Sequence, residues 1–157
     1  MIEPKEKFMK IAIEQAIKAK NDGDYAVGAV IVQSDKIIAM AGNRSKIDQD
    51  PIHHAEIIAI KEAAKVLGKR HLDDCILYTT HEPCPMCAAA SVWAKMKGII
   101  YGAKIEDMRE YRIRNGSNEW SWRTIDIPAA HVLEKGEPRL ILIGEFMREK
   151  CKSLFHS

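Results

Sequence analysis

Two short segments of this 157-residue chain hold the side-chain types from which a hydrolytic metal site is made. His54-Ala55-Glu56 supplies an imidazole and, two residues on, a carboxylate. Glu82-Pro83-Cys84-Pro85-Met86-Cys87 supplies two thiols three residues apart. Cysteines at that spacing share one face of a helix. Pro85 suits a first helical position, which sets Cys84 at the helix N-terminus, where unpaired N–H groups and the helix dipole favour thiolate over thiol. His54 stands near the start of the preceding helix, and two helix N-termini can point at one ion. Two thiolates and an imidazole make three protein ligands for Zn2+, with a fourth position left for water, the arrangement of a catalytic rather than a structural zinc. Zinc lowers the pKa of such a water to about 7. Glu56 reaches that water without binding the ion, so it is the candidate proton carrier, base in one step and acid in a later one.

The elements that must position these groups can be read from periodicity. From Pro4 to Lys20, Phe8, Ile11, Ala12, Gln15, Ala16 and Ala19 recur at three- and four-residue steps, a helix with one buried stripe, closed by Asn21-Asp22-Gly23-Asp24. Val27–Val32 and Lys36–Ala41 read as strands joined by a polar turn at Ser34-Asp35, and Asn43–Asp50 as a polar loop. Asp50 can cap the next helix with Pro51 in its first turn, and Gly68 ends it after Leu67. Cys75–Thr80 is a short run suited to a strand buried on both faces. A helix over Pro85–Lys95 and a strand over Gly98–Gly102 follow; strand, helix, strand implies a right-handed parallel crossover. Ile105–Arg123 is mixed in pattern, Leu140–Ile143 predicts a last strand, and Gly144–Phe155 a terminal helix. The whole, residues 1–157, reads as one α/β layered domain, a length at which a core is well enclosed.

Composition narrows the class. With 46% apolar and 29% charged residues the chain is an ordinary globular protein. A net charge of +2 is too mild to signal nucleic acid by bulk electrostatics. No apolar run approaches the roughly 18 residues of a membrane span, and the first residues, mixing Glu3, Lys5, Glu6 and Lys7, lack a signal-peptide stretch; a cytoplasmic enzyme is the expectation. Four cysteines do not make a disulfide scaffold at this length. Cys75 and Cys151 have no partner of metal-site spacing and read as buried or indifferent thiols. A lone Cys-x-x-Cys could be a redox pair or half of a zinc ribbon, but no second pair completes a ribbon and a redox pair leaves His54-Ala55-Glu56 without a role. His53 competes with His54, yet neighbouring helical side chains diverge, which gives His53 a surface or supporting part. His71, His131 and His156 read as solvated, while His81, next to Glu82, is a candidate to line the site.

At these residues the chain resembles the cytidine-deaminase-like superfamily, in the branch holding bacterial guanine deaminases, cytosine deaminases and tRNA adenosine deaminases. The resemblance runs from Val27 to Tyr101 through Gly28-Ala29-Val30-Ile31-Val32, Asn43, His54-Ala55-Glu56, Leu72–Thr79, Glu82–Cys87 and Trp93-Ala94. It implies a three-layer α/β/α sandwich around a five-stranded mixed sheet. It also implies zinc on His54, Cys84 and Cys87, and Glu56 as the catalytic carboxylate. Asp73–Thr79, the complete Glu-Pro-Cys-Pro-Met-Cys run and Trp93 look most like guanine deaminase, which turns guanine into xanthine and ammonia. The same resemblance has Asn43 read the base edge, an amide offering both donor and acceptor. The backbone of Ala55, with Val27 and Trp93, holds the base plane, and Glu119 is the nearest match to an acidic purine contact. Trp93 also has a simpler reading, as a core residue of its helix. A C-terminal segment closes the site in such enzymes, often exchanged between subunits of a homodimer; Phe155 fits that lid role or ordinary packing.

Two departures bear on substrate. The aromatic residue that guanine deaminases place before Gly-Ala-Val is Val27 here, with Tyr25 two positions earlier, and the segment around Trp120 and Trp122 has no counterpart. Cytosine, or a nucleoside such as guanosine, cytidine or adenosine, is therefore an alternative substrate. A tRNA adenosine deaminase ranks lower: Arg109, Arg112, Arg114 and Arg123 are interspersed with Glu106, Asp107 and Glu110, and the Asn-His-Arg-Val run of those enzymes is missing. A zinc-stabilised binding module is the non-enzyme alternative, and the unligated carboxylate of Glu56 speaks against it.

Overall fold

The computed structural model of the chain describes residues 1–115 and 123–156. The elements are α1 (Glu6–Asn21), β1 (Gly28–Gln33), β2 (Lys36–Gly42), α2 (Ala55–Leu67), β3 (Cys75–His81), α3 (Pro85–Trp93), β4 (Gly98–Ala103), α4 (Ile105–Asn115), α5 (Ala129–Glu134), β5 (Ile141–Ile143) and α6 (Arg148–Lys152), followed by a 3₁₀ turn over Ser153–His156. The strands form one mixed sheet in the order β2-β1-β3-β4-β5. β1 runs antiparallel to both β2 and β3, while β3, β4 and β5 are parallel.

Side chains alternate across this sheet with the two-residue period of a strand. Ala29, Ile31, Leu77 and Ile99 enter one core; Val30, Val32, Tyr78 and Ile100 enter the other. The first core is roofed by α2, α3 and α5 through Ala55, Ala59, Ala63, Ala88, Ala129 and Leu133. The second is roofed by α1 and the C-terminal turns through Phe8, Met9, Ala12, Cys151, Leu154 and Phe155. Helices on both faces make the expected three-layer α/β/α sandwich. The many alanines let helices lie close to the sheet. At Gly28 the approach is tightest, since a Cβ there would run into the Ala12 carbonyl oxygen and the Ala16 nitrogen of α1. The polar turn of the first hairpin has Ser34 and Asp35 at φ 48° and 62°, the paired positive angles of a type I′ turn, which matches strand twist. No helix among the described residues is long and apolar enough to cross a membrane.

Three segments differ from the sequence expectation. α2 begins at Ala55, with His54 as its extended N-cap residue, not at Pro51. The local signal at Asp50 is genuine but serves another purpose: Asp50 Oδ1 accepts from the Ile52 N–H at 3.0 Å, closing a turn that precedes the helix. The mixed stretch after β4 opens as a helix, α4, and the six-residue α5 follows where no stripe was visible. The terminal segment is no continuous helix from Gly144. Glu145 and Met147 take positive φ values of 62° and 56°, and only then does the short α6 start.

His81 ends β3 inside the second core. Its Nδ1 lies 2.7 Å from Thr80 Oγ1 and its ring 4.6 Å from that of Phe155. Burial pushes its pKa from 6.5 down to about 3, against a smaller upward pull from Asp107. The unfolded chain therefore takes up a proton near pH 6.5 that the folded chain refuses until about 3. Stability is full above that window and falls as the pH drops through it, at about 1 kcal/mol per pH unit. Urea midpoints of the zinc-loaded protein between pH 6.5 and 4.5 are expected to fall more steeply than those of His81→Gln. Parallel slopes would remove His81 from the acid response.

Candidate active site

Two helix starts build the centre. β3 delivers the chain through Glu82-Pro83 to Cys84, the extended N-cap residue of α3, with Pro85 in its first turn. His54 holds the corresponding place at the start of α2. Neither side chain caps its own helix. They face each other instead, with Cys87 beneath. The sulfurs of Cys84 and Cys87 each lie 3.6 Å from His54 Nδ1, and the three ligand atoms sit within 4.8 Å of one another. Zinc bonds of about 2.3 Å to sulfur and 2.0 Å to nitrogen in a tetrahedron set sulfur and nitrogen roughly 3.5 Å apart. The trio fits the ion without rearrangement.

The electrostatics suit a cation. The Cys84 thiol is pushed down to about 4, chiefly by the hydrogen bond from Cys87 and, against the effect of burial, by His54. Cys87 moves the opposite way, held as a thiol by its bond to Cys84 and by burial. The His54 imidazole is raised by its bond to Cys84. Glu56, one residue into α2, is only 4% exposed. Burial lifts its carboxyl to about 7, with the Cys84 charge adding to the rise. His54 and the Cys87 thiol pull it down more weakly, and among the described residues its Oε1 has no hydrogen-bond partner. A buried carboxyl oxygen without a partner is costly; beside three metal-ligating atoms, it is placed for a hydrogen on a substrate or a water.

Ala55 is fully buried at the head of α2, Asn43 is 5% exposed, and Val27 is half-buried between the two cores. The Asn43 N–H donates to the Val27 carbonyl and the Arg44 N–H to the His53 carbonyl, each at 3.0 Å. These bonds set the loop after β2 against the starts of β1 and α2. His53 turns away, with Nδ1 2.7 Å from Asp48 Oδ2 and Nε2 3.4 Å from Asp50 Oδ2. Trp93 is neither core nor part of this chain's own centre. It is 82% exposed and lies roughly 13 Å along the α3 axis from Cys84, at about 1.5 Å per residue. Phe155 packs, its ring stacked 5.5 Å from Tyr111. Cys75 and Cys151 are buried, with burial raising their thiols to about 11 and about 12. Glu119, Trp120 and Trp122 lie outside the described residues.

Two buried carboxylates carry parts that the sequence reading missed. Glu82 accepts from the Ile105 N–H at Oε1 and the Ala129 N–H at Oε2, both at 2.9 Å, tying the starts of α4 and α5 to the cysteine loop. Asp24 gathers the loop that holds Asn43. A sequence signal was present only for Glu82, inside the cysteine motif.

A mixed sheet between helical layers, with His-x-Glu opening one helix and Pro-Cys-x-x-Cys opening another, defines a zinc-dependent deaminase. The profile of the cytidine and deoxycytidylate deaminase zinc-binding region matches residues 2–103, and the chain belongs to that family. Guanine deaminase of Bacillus subtilis (strain 168) is 43% identical over 125 residues, covering 79% of this chain and 78% of its own length. The tRNA-specific adenosine deaminase of the same organism is 45% identical over 98 residues, 62% of this chain and 61% of its own length. A solved structure from work on A-to-I editing by tRNA:A34 deaminases superposes with a TM-score of 0.76 at 27% identity, over 96% of this chain and 99% of that one.

Proposed function

We propose that this chain is a hydrolase of a free nucleobase, converting guanine and water to xanthine and ammonia, with zinc on His54, Cys84 and Cys87. The observation that carries the chemistry is the buried Glu56 carboxyl beside the three ligand atoms, with an oxygen that no other described residue engages. When bound, zinc supplies a Lewis acid and acidifies a water. Glu56 takes the proton as the water oxygen bonds to the amine-bearing carbon, and gives it to the adjacent ring nitrogen. It then takes the remaining proton of the newly bound hydroxyl and delivers it to the departing amine as the carbonyl forms and the C–N bond breaks. A carboxyl whose pKa is lifted toward neutrality serves both directions. Asn43 reads the base edge, and the Ala55 backbone and Val27 border its plane; Glu119 belongs to the same reading as a purine contact.

Guanine is favoured by the reach of the likeness. An alignment of 125 residues with guanine deaminase exceeds what residues 2–103 can hold, so it takes in residues beyond β4. Assembly as a homodimer, with the exposed Trp93 covered by the partner, is part of this reading. Deamination of adenosine in tRNA is the second reading, supported by the 45% identity to the tRNA-specific relative. Ammonia release by the zinc-loaded protein is the test, measured against guanine, cytosine, adenine, their nucleosides and a tRNA anticodon stem. Turnover of guanine far above the others is the expected result. Preference for the stem would replace the substrate and keep the chemistry, and silence on all of them would remove both.

A further inference from the structure

We propose that Asp24 is a positioning residue that locks the Asn43 amide, so that the site offers the base an acceptor and no donor from that side chain; this rests on Asn43 as the base reader in the function proposed above. Asp24 is 6% exposed. Its Oδ1 accepts from the Tyr25 N–H at 2.8 Å and from Asn43 Nδ2 at 2.7 Å. Its Oδ2 accepts from the Lys46 and Ile47 N–H groups at 2.9 and 3.0 Å. All but the Tyr25 bond go to the loop that carries Asn43. Asn43 Nδ2 gives its second hydrogen to Ser45 Oγ at 2.9 Å.

Both amide hydrogens are thus in use. A carboxylate can only accept, so the amide cannot be turned over without setting its oxygen against the Asp24 oxygen. What remains is Asn43 Oδ1, to which no hydrogen bond is formed among the described residues. The Asp24 charge polarises the amide and makes that oxygen a stronger acceptor. An edge presenting an N–H is matched there. A bare ring nitrogen in the same place faces a lone pair, and a site that leaves a buried polar group unpaired rejects its ligand strongly. Read from sequence, Asn43 offers the base both a donor and an acceptor; under this proposal the base meets the acceptor alone. Asp24 itself touches no substrate; it acts through Asn43.

The experiment combines a substrate-free readout with a kinetic one on the zinc-loaded protein. In nitrogen-15 NMR spectra, the Asn43 side-chain amide pair is expected to be shifted downfield and slow to exchange. Asp24→Asn should abolish both features. An Asn43 amide indistinguishable from exposed amides in the wild type, or unchanged in Asp24→Asn, overturns the positioning claim whatever the enzyme's substrate. On the substrate that the panel identifies, Asp24→Asn should raise KM about tenfold with kcat changed less than about threefold, the range of one charge-supported hydrogen bond. In an Asn43→Ala background the same substitution should add nothing. Equal losses in both backgrounds make Asp24 a scaffold residue only and overturn the proposal. An Asn43→Ala variant as active as wild type overturns instead the base-reading role on which the proposal rests. Should Asp24→Asn fail to fold, Ser45→Ala, which releases a single amide hydrogen, takes its place with a smaller rise in KM.

Discussion

Glu56→Gln should lose about 10²–10⁴ of the turnover rate, the usual contribution of a general acid–base, while keeping full zinc and an unchanged or raised melting temperature. The two halves of this result follow from one geometry. Glu56 is buried, its Oε1 has no partner among the described residues, and burial lifts its carboxyl to about 7. A neutral amide of the same shape avoids the burial of a charge near the Cys84 thiolate, so the fold gains or is indifferent. The amide cannot carry a proton from water to base, so the chemistry stops. A residue kept for stability would behave in reverse, with activity tracking the folded fraction. Ammonia release at saturating substrate, zinc content and calorimetry on the same preparation separate the cases. Retention of more than about a tenth of the rate, or loss of zinc, would sink the proton-carrier role.

What could be read in the sequence was whatever is written locally. The cysteine spacing, Pro85 at a first helical turn and the polar turn at Ser34-Asp35 all act within a few residues, and the structure shows the elements they imply. Asp24 and Glu82 work by collecting backbone N–H groups from Lys46 and Ile47, or from Ile105 and Ala129. Backbone donors have no residue type, so no motif announces such partners. The start of α2 was misplaced for a related reason: Asp50-Pro51 reads equally as a helix cap and as a turn, and only the fold decides between them. α5 and α6, of six and five residues, are too short to show a helical stripe. Trp93 looked like stacking area or core because residue type says nothing about which way a helix faces; the fold leaves it in solvent at the far end of α3.

Cys87→Ala is expected to drop zinc below about a tenth of stoichiometry, silence the enzyme and lower its stability, because one of the three protein ligands of the ion is lost. One sulfur is removed, leaving His54 and Cys84. The remaining pair is one thiolate and one imidazole, too few for a closed set of three. Loss of a ligand that binds only the folded chain removes about 3–4 kcal/mol at free concentrations of 100 to 1,000 times Kd. Removing zinc from the wild type with a chelator should therefore reproduce most of the loss in melting temperature, the small cavity left by the missing sulfur adding little. Cys75→Ala is the control: that thiol is equally buried, burial holds it protonated up to about 11, and it lies in the sheet core away from the trio. It should keep its zinc and its activity. Metal analysis of the purified variants decides the matter, for a full complement of zinc in Cys87→Ala would take Cys87 out of the ligand set and leave the paired-thiolate reading of α3 without its second sulfur.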